Sequence, residues 1–231
     1  MPLRVIPRRD HKLNALIKAA TPAAYRKGCV VYQQGTPSVF ALLIQEGHVC
    51  LNLPKTDTKR TRVVGVTGPG ELLGIEAVTP GVPRRYTAIA GSACTLLPLN
   101  GAAVFKALRA SPKTLAQFLR SNDHDLAEAR LISLSSGFSS KARIADVLLD
   151  LAYRFGVDDG RRIKIDHWFT HKDLADLAGA HRSTVTTAIN DWIYDGVLKQ
   201  QPRGLIVNKP GTLKKAGTEA SRKRSRKLTT R

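Results

Sequence analysis

The residues of this chain whose types and spacing suit chemistry are suited to recognition more than to catalysis. Between Thr170 and Asp191 stand His181, Arg182, Ser183, Thr184, Thr186, Thr187 and Asn190, short hydrogen-bonding side chains plus one guanidinium, with no carboxylate among them. Displayed on a helix, such a row can meet base edges and phosphate oxygens without charge repulsion. Threonine lowers helix propensity, so three in four residues ask for a reason other than helix stability. A second group, Arg84-Arg85, offers two adjacent guanidinium forks, which fit phosphate or carboxylate. A pair of solvated loop arginines is the alternative.

Other chemistry is poorly provided for. Cys29, Cys50 and Cys94 are far apart in apolar surroundings and read as buried strand residues, not as disulfides or metal ligands. His167 and His171 have a four-residue spacing, but Thr170 between them looks like a helix start, so no metal site is expected. Gly68-x-Gly70-x-x-x-Gly74 is one residue too long for a dinucleotide fingerprint, and no helix opening follows it. No nucleophile and base stand at a recognisable spacing, so no enzyme is expected.

The recognition residues need a scaffold, and the sequence around them supplies its signals. Thr170-His171-Lys172-Asp173 is a capping-box variant that opens a helix with Leu174, Leu177 and Ala178 on its apolar face. Gly179 breaks the chain, and a second helix is expected from about Arg182, with Val185, Ile189, Trp192 and Ile193 facing inward. Two short helices joined by a glycine turn form a helix-turn-helix. Lys199 to Val207 then reads as a hairpin with Arg203 at its tip, a wing.

Upstream, short β-type runs at Cys29–Tyr32, Val39–Ile44, His48–Leu53 and Arg62–Val66 are cut by glycines, which argues for a small barrel or sandwich. From Ser111 and Pro112 the texture turns helical. Leu115, Phe118, Leu119, Leu126, Ala129 and Ile132 then recur at three- and four-residue spacing up to Gly137. Such a stripe serves either to pack on its own barrel or to pair with its copy in a second subunit. A further helix is expected over Lys141–Phe155, ended by Gly156.

Composition agrees with a polyanionic partner. Thirty-seven Lys and Arg against 18 Asp and Glu give a net charge of +19, and each cation set against a phosphate releases a counterion. Solubility or adhesion to anionic lipid would also use that charge. No apolar run approaches bilayer length and no signal peptide is read, so a cytoplasmic protein without a membrane partner is expected. Nine of the cations lie in Lys209–Arg231 with one acid, Glu219, a tail expected to be disordered and either to track phosphates or to be merely solvated.

In order and spacing, the elements from about residue 25 to 208 resemble the CRP/FNR (catabolite activator / fumarate-nitrate regulator) family. The resemblance implies an α+β chain in four parts. These are a cyclic-nucleotide-binding-like β-roll at 1–110, a dimerisation helix at 111–137, a winged helix-turn-helix at 138–208, and the basic tail at 209–231. It also implies a homodimeric bacterial transcription regulator bound to an inverted repeat in double-stranded DNA, paired through Leu115, Leu119, Leu126 and Ile132, with RNA polymerase as a further candidate partner. Arg182, Ser183 and Thr187 fall where the family reads bases; Thr170, His181, Thr184 and Arg203 fall near phosphates. The best-known members carry an acid at Ser183 and an arginine at Thr187, so the preferred site should differ.

In the sensory part Arg84 matches the family's phosphate arginine. Ile75 replaces the ribose acid unless Glu76 shifts by one, Arg85 and Tyr86 replace small residues, and Glu128 stands where a hydroxyl would meet adenine. Gly74, Glu76, Arg84, Arg85 and Glu128 therefore outline an effector pocket without cyclic AMP chemistry, and no cofactor is assigned. The competing function is a ligand-binding or architectural protein that holds DNA through charge alone.

Overall fold

The computed structural model describes residues 11–54, 61–116, 139–165, 169–202 and 204–217. They fall into two units, one within Leu3–Leu126 and one within Ala127–Arg231.

The first unit is built around β3 (Phe40–Glu46) and β8 (Cys94–Asn100), which pair antiparallel from Phe40↔Asn100 to Glu46↔Thr95. Successive side chains of a strand point to opposite faces. Leu42 and Ile44 therefore enter one cluster with Val49, Leu73, Ala88, Ala90 and Leu96. Leu43 enters another with Leu13, Leu97, Leu99, Val104 and Leu108. Burial on both faces explains why these strands read as continuous apolar runs instead of alternating ones.

β1 (Ala23–Tyr25) and β6 (Leu72–Leu73) complete that sheet in the order β1-β8-β3-β6. A second antiparallel sheet, β2-β7-β4-β5, comprises β2 (Val30–Tyr32), β4 (Val49–Pro54), β5 (Thr61–Thr67) and β7 (Thr87–Ala90). α1 (His11–Ala19) and α2 (Gly101–Arg109) supply Leu13, Val104, Ala107 and Leu108 to the outer cluster. Asn100 caps α2 by accepting from the Ala103 N–H at 3.1 Å.

One expectation changes in this unit. Cys50 and Cys94 are buried, but Cys29 is exposed and precedes β2, because Gly28 completes a turn in which the Cys29 N–H bonds the Arg26 carbonyl. Residues 112–116 are helical as expected, with Ser111 Oγ accepting from the Thr114 N–H at 3.3 Å. Leu115 of the proposed pairing stripe is 36% exposed, while Leu119, Leu126, Glu128 and Ile132 lie outside the described residues.

In the second unit α3 (Ser140–Phe155) starts at an N-cap, Ser139, and buries Ile144, Val147, Leu148 and Leu151. Gly156 ends it, though in extended backbone and not in a left-handed turn, because the chain runs straight into β9 (Gly156–Asp158). β10 (Ile163–Ile165), α4 (His171–Ala178), α5 (Arg182–Tyr194), β11 (Leu198–Gln201) and β12 (Gly204–Val207) follow, with sheet order β11-β12-β10-β9.

The expected tail begins later than residue 209. Residues 210–217 are helical, Leu213 is fully buried, and Gly217 lies against the Asp146 carboxylate of α3. Pro210 suits a first helical turn and Leu213 supplies an apolar anchor, which a reading by charge alone passes over.

Candidate nucleic-acid interface and sensory pocket

α4 and α5 are positioned by local chemistry that the sequence announces. Thr170 accepts from the Asp173 N–H at 3.1 Å while Asp173 Oδ2 accepts from the Thr170 N–H at 2.9 Å, a complete capping box. The Thr170 hydroxyl proton goes to Asp173 Oδ2 at 2.7 Å, so that side chain is a helix cap with no donor left for a phosphate. α4 ends at Gly179, whose φ of 56° is open to glycine and strained for other residues. The Gly179 and Ala180 N–H groups return to the Asp176 and Ala175 carbonyls, a Schellman turn.

α5 buries Val185, Ala188, Ile189 and Trp192, while Ile193 is only half-buried. On α4 the buried positions are Leu174, Ala175 and Ala178, while Leu177 is half-buried, so Ala175 takes packing that was expected of Leu177. His181, Arg182, Ser183, Thr187 and Asn190 are exposed. Ser183, Thr187 and Asn190, at spacings of four and seven, share one face, which ends in Tyr194 at 93% exposure. Thr184 is half-buried at its edge.

Thr186 does not belong to that outward row. Its Oγ1 donates to the Arg182 carbonyl at 3.0 Å and lies 2.9 Å from His171 Nδ1. With its only proton committed, Thr186 accepts from His171, so the network assigns the Nδ1-protonated tautomer. Burial, and then the charge of Arg182, hold His171 below the usual histidine range. The neutral ring thus ties the two helices together.

The electrostatics favour an anion at the start of α5. No side chain caps its first turn and that turn holds no acid, so its N–H groups and dipole are open to an oxygen anion. Asp191, beside the exposed face, is paired with Lys141 Nζ at 2.6 Å. β11 and β12 pair antiparallel from Leu198↔Val207 to Gln201↔Gly204, and Arg203, the expected wing residue, lies outside the described residues.

In the first unit the structure gathers Gly74, Glu76 and Arg84. Arg84 is 6% exposed, not a solvated loop arginine. Its Nη1–H donates to the Gly74 carbonyl at 3.1 Å, its Nη2–H to the Phe40 carbonyl at 2.6 Å, and its guanidinium stacks on Tyr32 at 4.1 Å from the ring centroid. Glu76 Oε1 stands 3.7 Å from Nη1. Burial, with the Glu76 charge second, pushes the Tyr32 phenol up. A Cβ on Gly74 would collide with Nη1, so Arg84 fills the space that this glycine leaves, at a φ of 70°. Arg85 is exposed.

A cyclic phosphate, which this kind of fold implies, would have to displace the carbonyls that now hold the Arg84 guanidinium. Two of the Arg84 donors go to carbonyls, while Arg84 Nε and Glu76 Oε1 are buried without a hydrogen-bond partner. Ile75, where the resemblance expects an acid, is partly buried and packs, like Leu72 and Val78, against the apolar cluster of Leu43, Leu97 and Val104.

Comparison with known proteins gives the same two parts. Residues 22–111 match the cyclic nucleotide-binding domain model and residues 142–216 match the Crp-like helix-turn-helix domain model. The chain is 24% identical over 203 residues to a CRP-like cAMP-activated global transcriptional regulator of Mycobacterium tuberculosis, covering 85% of this chain and 88% of that one. Among solved structures, FixK2 of Bradyrhizobium japonicum superposes with a TM-score of 0.73 at 20% identity, over 86% of this chain and 97% of that one. TTHB099 of Thermus thermophilus, a CRP-family transcriptional regulator, gives 0.66 at 22% identity over 86% and 97%. No helix among the described residues is long and apolar enough to cross a membrane.

Proposed function

Because the chain belongs to the CRP/FNR family of transcription regulators, we propose that it is a sequence-specific DNA-binding regulator and not an enzyme. It acts in the cytoplasm as a homodimer on an inverted repeat. The observation that carries this reading is the exposed face of α5, where Arg182, Ser183, Thr187 and Asn190 stand clear of solvent-facing acid except for Asp191, itself paired with Lys141. Arg182, Ser183 and Thr187 read bases, with Arg182 the only long fork among them. His181 and Thr184, beside the uncapped helix start, and Arg203 of the expected wing meet phosphates. Pairing runs through Leu115, Leu119, Leu126 and Ile132, and two heads on one duplex require half-sites about one helical turn apart. RNA polymerase is the partner through which such a regulator acts.

The sensory roll keeps the family fold, and in this reading its effector, where there is one, is other than cyclic AMP, because Ile75 stands where the resemblance expects the ribose acid. The architectural alternative needs only charge, which leaves the acid-free face of α5 without a purpose. Selection of bound sequences from a random duplex pool tests the reading. An enriched inverted repeat is expected, and a pool that stays random would overturn it.

A further inference from the structure

The turn between α4 and α5 sets the angle at which the exposed face of α5 meets a duplex, yet it has few side chains of its own with which to hold its shape. It consists of Gly179, Ala180 and His181, and His181 makes no side-chain cap to α5. The Schellman bonds satisfy the Ala175 and Asp176 carbonyls and leave those of Ala178 and Gly179 pointing out of the helix end. Arg143, from the first turn of α3, takes both. Its Nε–H donates to the Ala178 carbonyl at 2.8 Å and its Nη2–H to the Gly179 carbonyl at 2.8 Å. The same guanidinium reaches Ser140 Oγ at 3.3 Å, within its own helix.

One planar fork therefore spans two consecutive carbonyls, across 35 and 36 residues of sequence. An ammonium cannot reproduce that rigid two-point geometry. Two residues before it, Lys141 reaches α5 through Asp191 at 2.6 Å and lies 5.6 Å from the Trp192 ring centroid. The first turn of α3 thus holds the end of one recognition element and the flank of the other.

We infer that Arg143 is a positioning residue for base reading: by clamping the Ala178–Gly179 carbonyls it fixes the presentation of Arg182, Ser183 and Thr187, without touching DNA. This rests on the reading of α5 as the base-reading helix. Phosphate contacts tolerate small rotations of a helix, because charge acts over a distance, whereas bidentate base contacts do not. Loss of the clamp should therefore lower discrimination more than affinity.

The test compares wild type with Arg143→Ala, Arg143→Lys and Gly179→Ala, each on its selected site and on random duplex across a salt series. Circular dichroism and thermal melting establish the folded fraction. A Cβ at Gly179 meets nothing within 4 Å, so Gly179→Ala disturbs the turn only through its φ of 56° and leaves Arg143 in place. The expected result for Arg143→Ala is a fall of about tenfold in the ratio of specific to random binding, the order of one bidentate base contact. Random-duplex affinity and its salt slope should stay at wild-type values. Arg143→Lys should fall between, and Gly179→Ala should shift the ratio in the same direction. A residue that only stabilised the fold would lower both affinities in step with the folded fraction, and that outcome, or an unchanged ratio, overturns the inference. A wild type that selects no sequence overturns the underlying reading and this inference with it; a wild type that selects while Arg143→Ala keeps full preference overturns this inference alone.

Discussion

Arg84 and Glu76 meet inside the β-roll with Nη1 3.7 Å from Oε1 and only 6% and 8% of their side chains exposed. The guanidinium that would greet a cyclic phosphate is held by two carbonyls and this carboxylate. Titration with cyclic AMP in a calorimeter should show no binding at micromolar concentrations. Arg84→Ala should lower the stability of the sensory unit by about 3–5 kcal/mol, since it strands Glu76 in the interior. Micromolar binding by the wild type would return Glu76 to the role of a ribose acid. A stable Arg84→Ala would make the buried pair dispensable.

Arg182 stands at the start of α5 with an exposed side chain. Arg182→Ala should weaken binding to the selected site by about 1–3 kcal/mol and relax preference at one base pair per half-site, because a bidentate contact to guanine N7 and O6 is lost. Competition assays with single-base variants of the site report this directly. Equal weakening on specific and random duplex would make Arg182 a phosphate clamp and leave specificity to Ser183, Thr187 and DNA shape.

Truncation separates packed chain from tail. Removing residues 218–231 takes away Arg222, Lys223, Arg224, Arg226, Lys227 and Arg231 with Glu219. Binding to all sequences should weaken alike, and the salt dependence should flatten by up to about 0.9 log units per lost phosphate contact. An unchanged salt slope would make the tail a solvated appendage. Cutting instead at residue 212 would also remove buried Leu213, so its effect would mix lost stability with lost charge.

His171 gives the helix pair a pH dependence whose sign follows from its environment. Burial, then the Arg182 charge, lower its proton affinity in the folded protein relative to the unfolded chain. The stability it contributes is complete above the ordinary histidine range and is lost as pH falls through that range toward the folded value. Between about pH 7 and about pH 5.5 the urea midpoint of wild type should fall more than that of His171→Asn, whose amide can still donate to Thr186 but takes up no proton there. Parallel curves would show that the ring does not titrate in this window.

What the sequence discloses here is local, and what it withholds is made across the chain. The Thr170–Asp173 box, the Gly179 stop and the start of α5 at Arg182 are written within a few residues of where they act, and all three stand as read. The strands at Val30, Phe40, Val49 and Thr61 begin within a residue of the glycine-cut runs. Arg143, by contrast, acts on carbonyls that no pattern around it mentions. The inward turn of Thr186 depends on His171 from the neighbouring helix. The burial of Arg84 depends on a carbonyl 44 residues away, at Phe40. The Leu213 anchor had a weak local sign in Pro210, hidden under the surrounding lysines.

The place of Ile75 limits what one substitution in this roll can do. Its side chain is set among Leu72, Val78 and the cluster of Leu43, Leu97 and Val104. Placing glutamate at that one position would set a carboxylate against this apolar cluster at a half-buried site, which costs solvation. A single Ile75→Glu substitution is therefore not expected to install nucleotide binding. Neighbouring side chains and the Arg84–Glu76 pair would have to change with it.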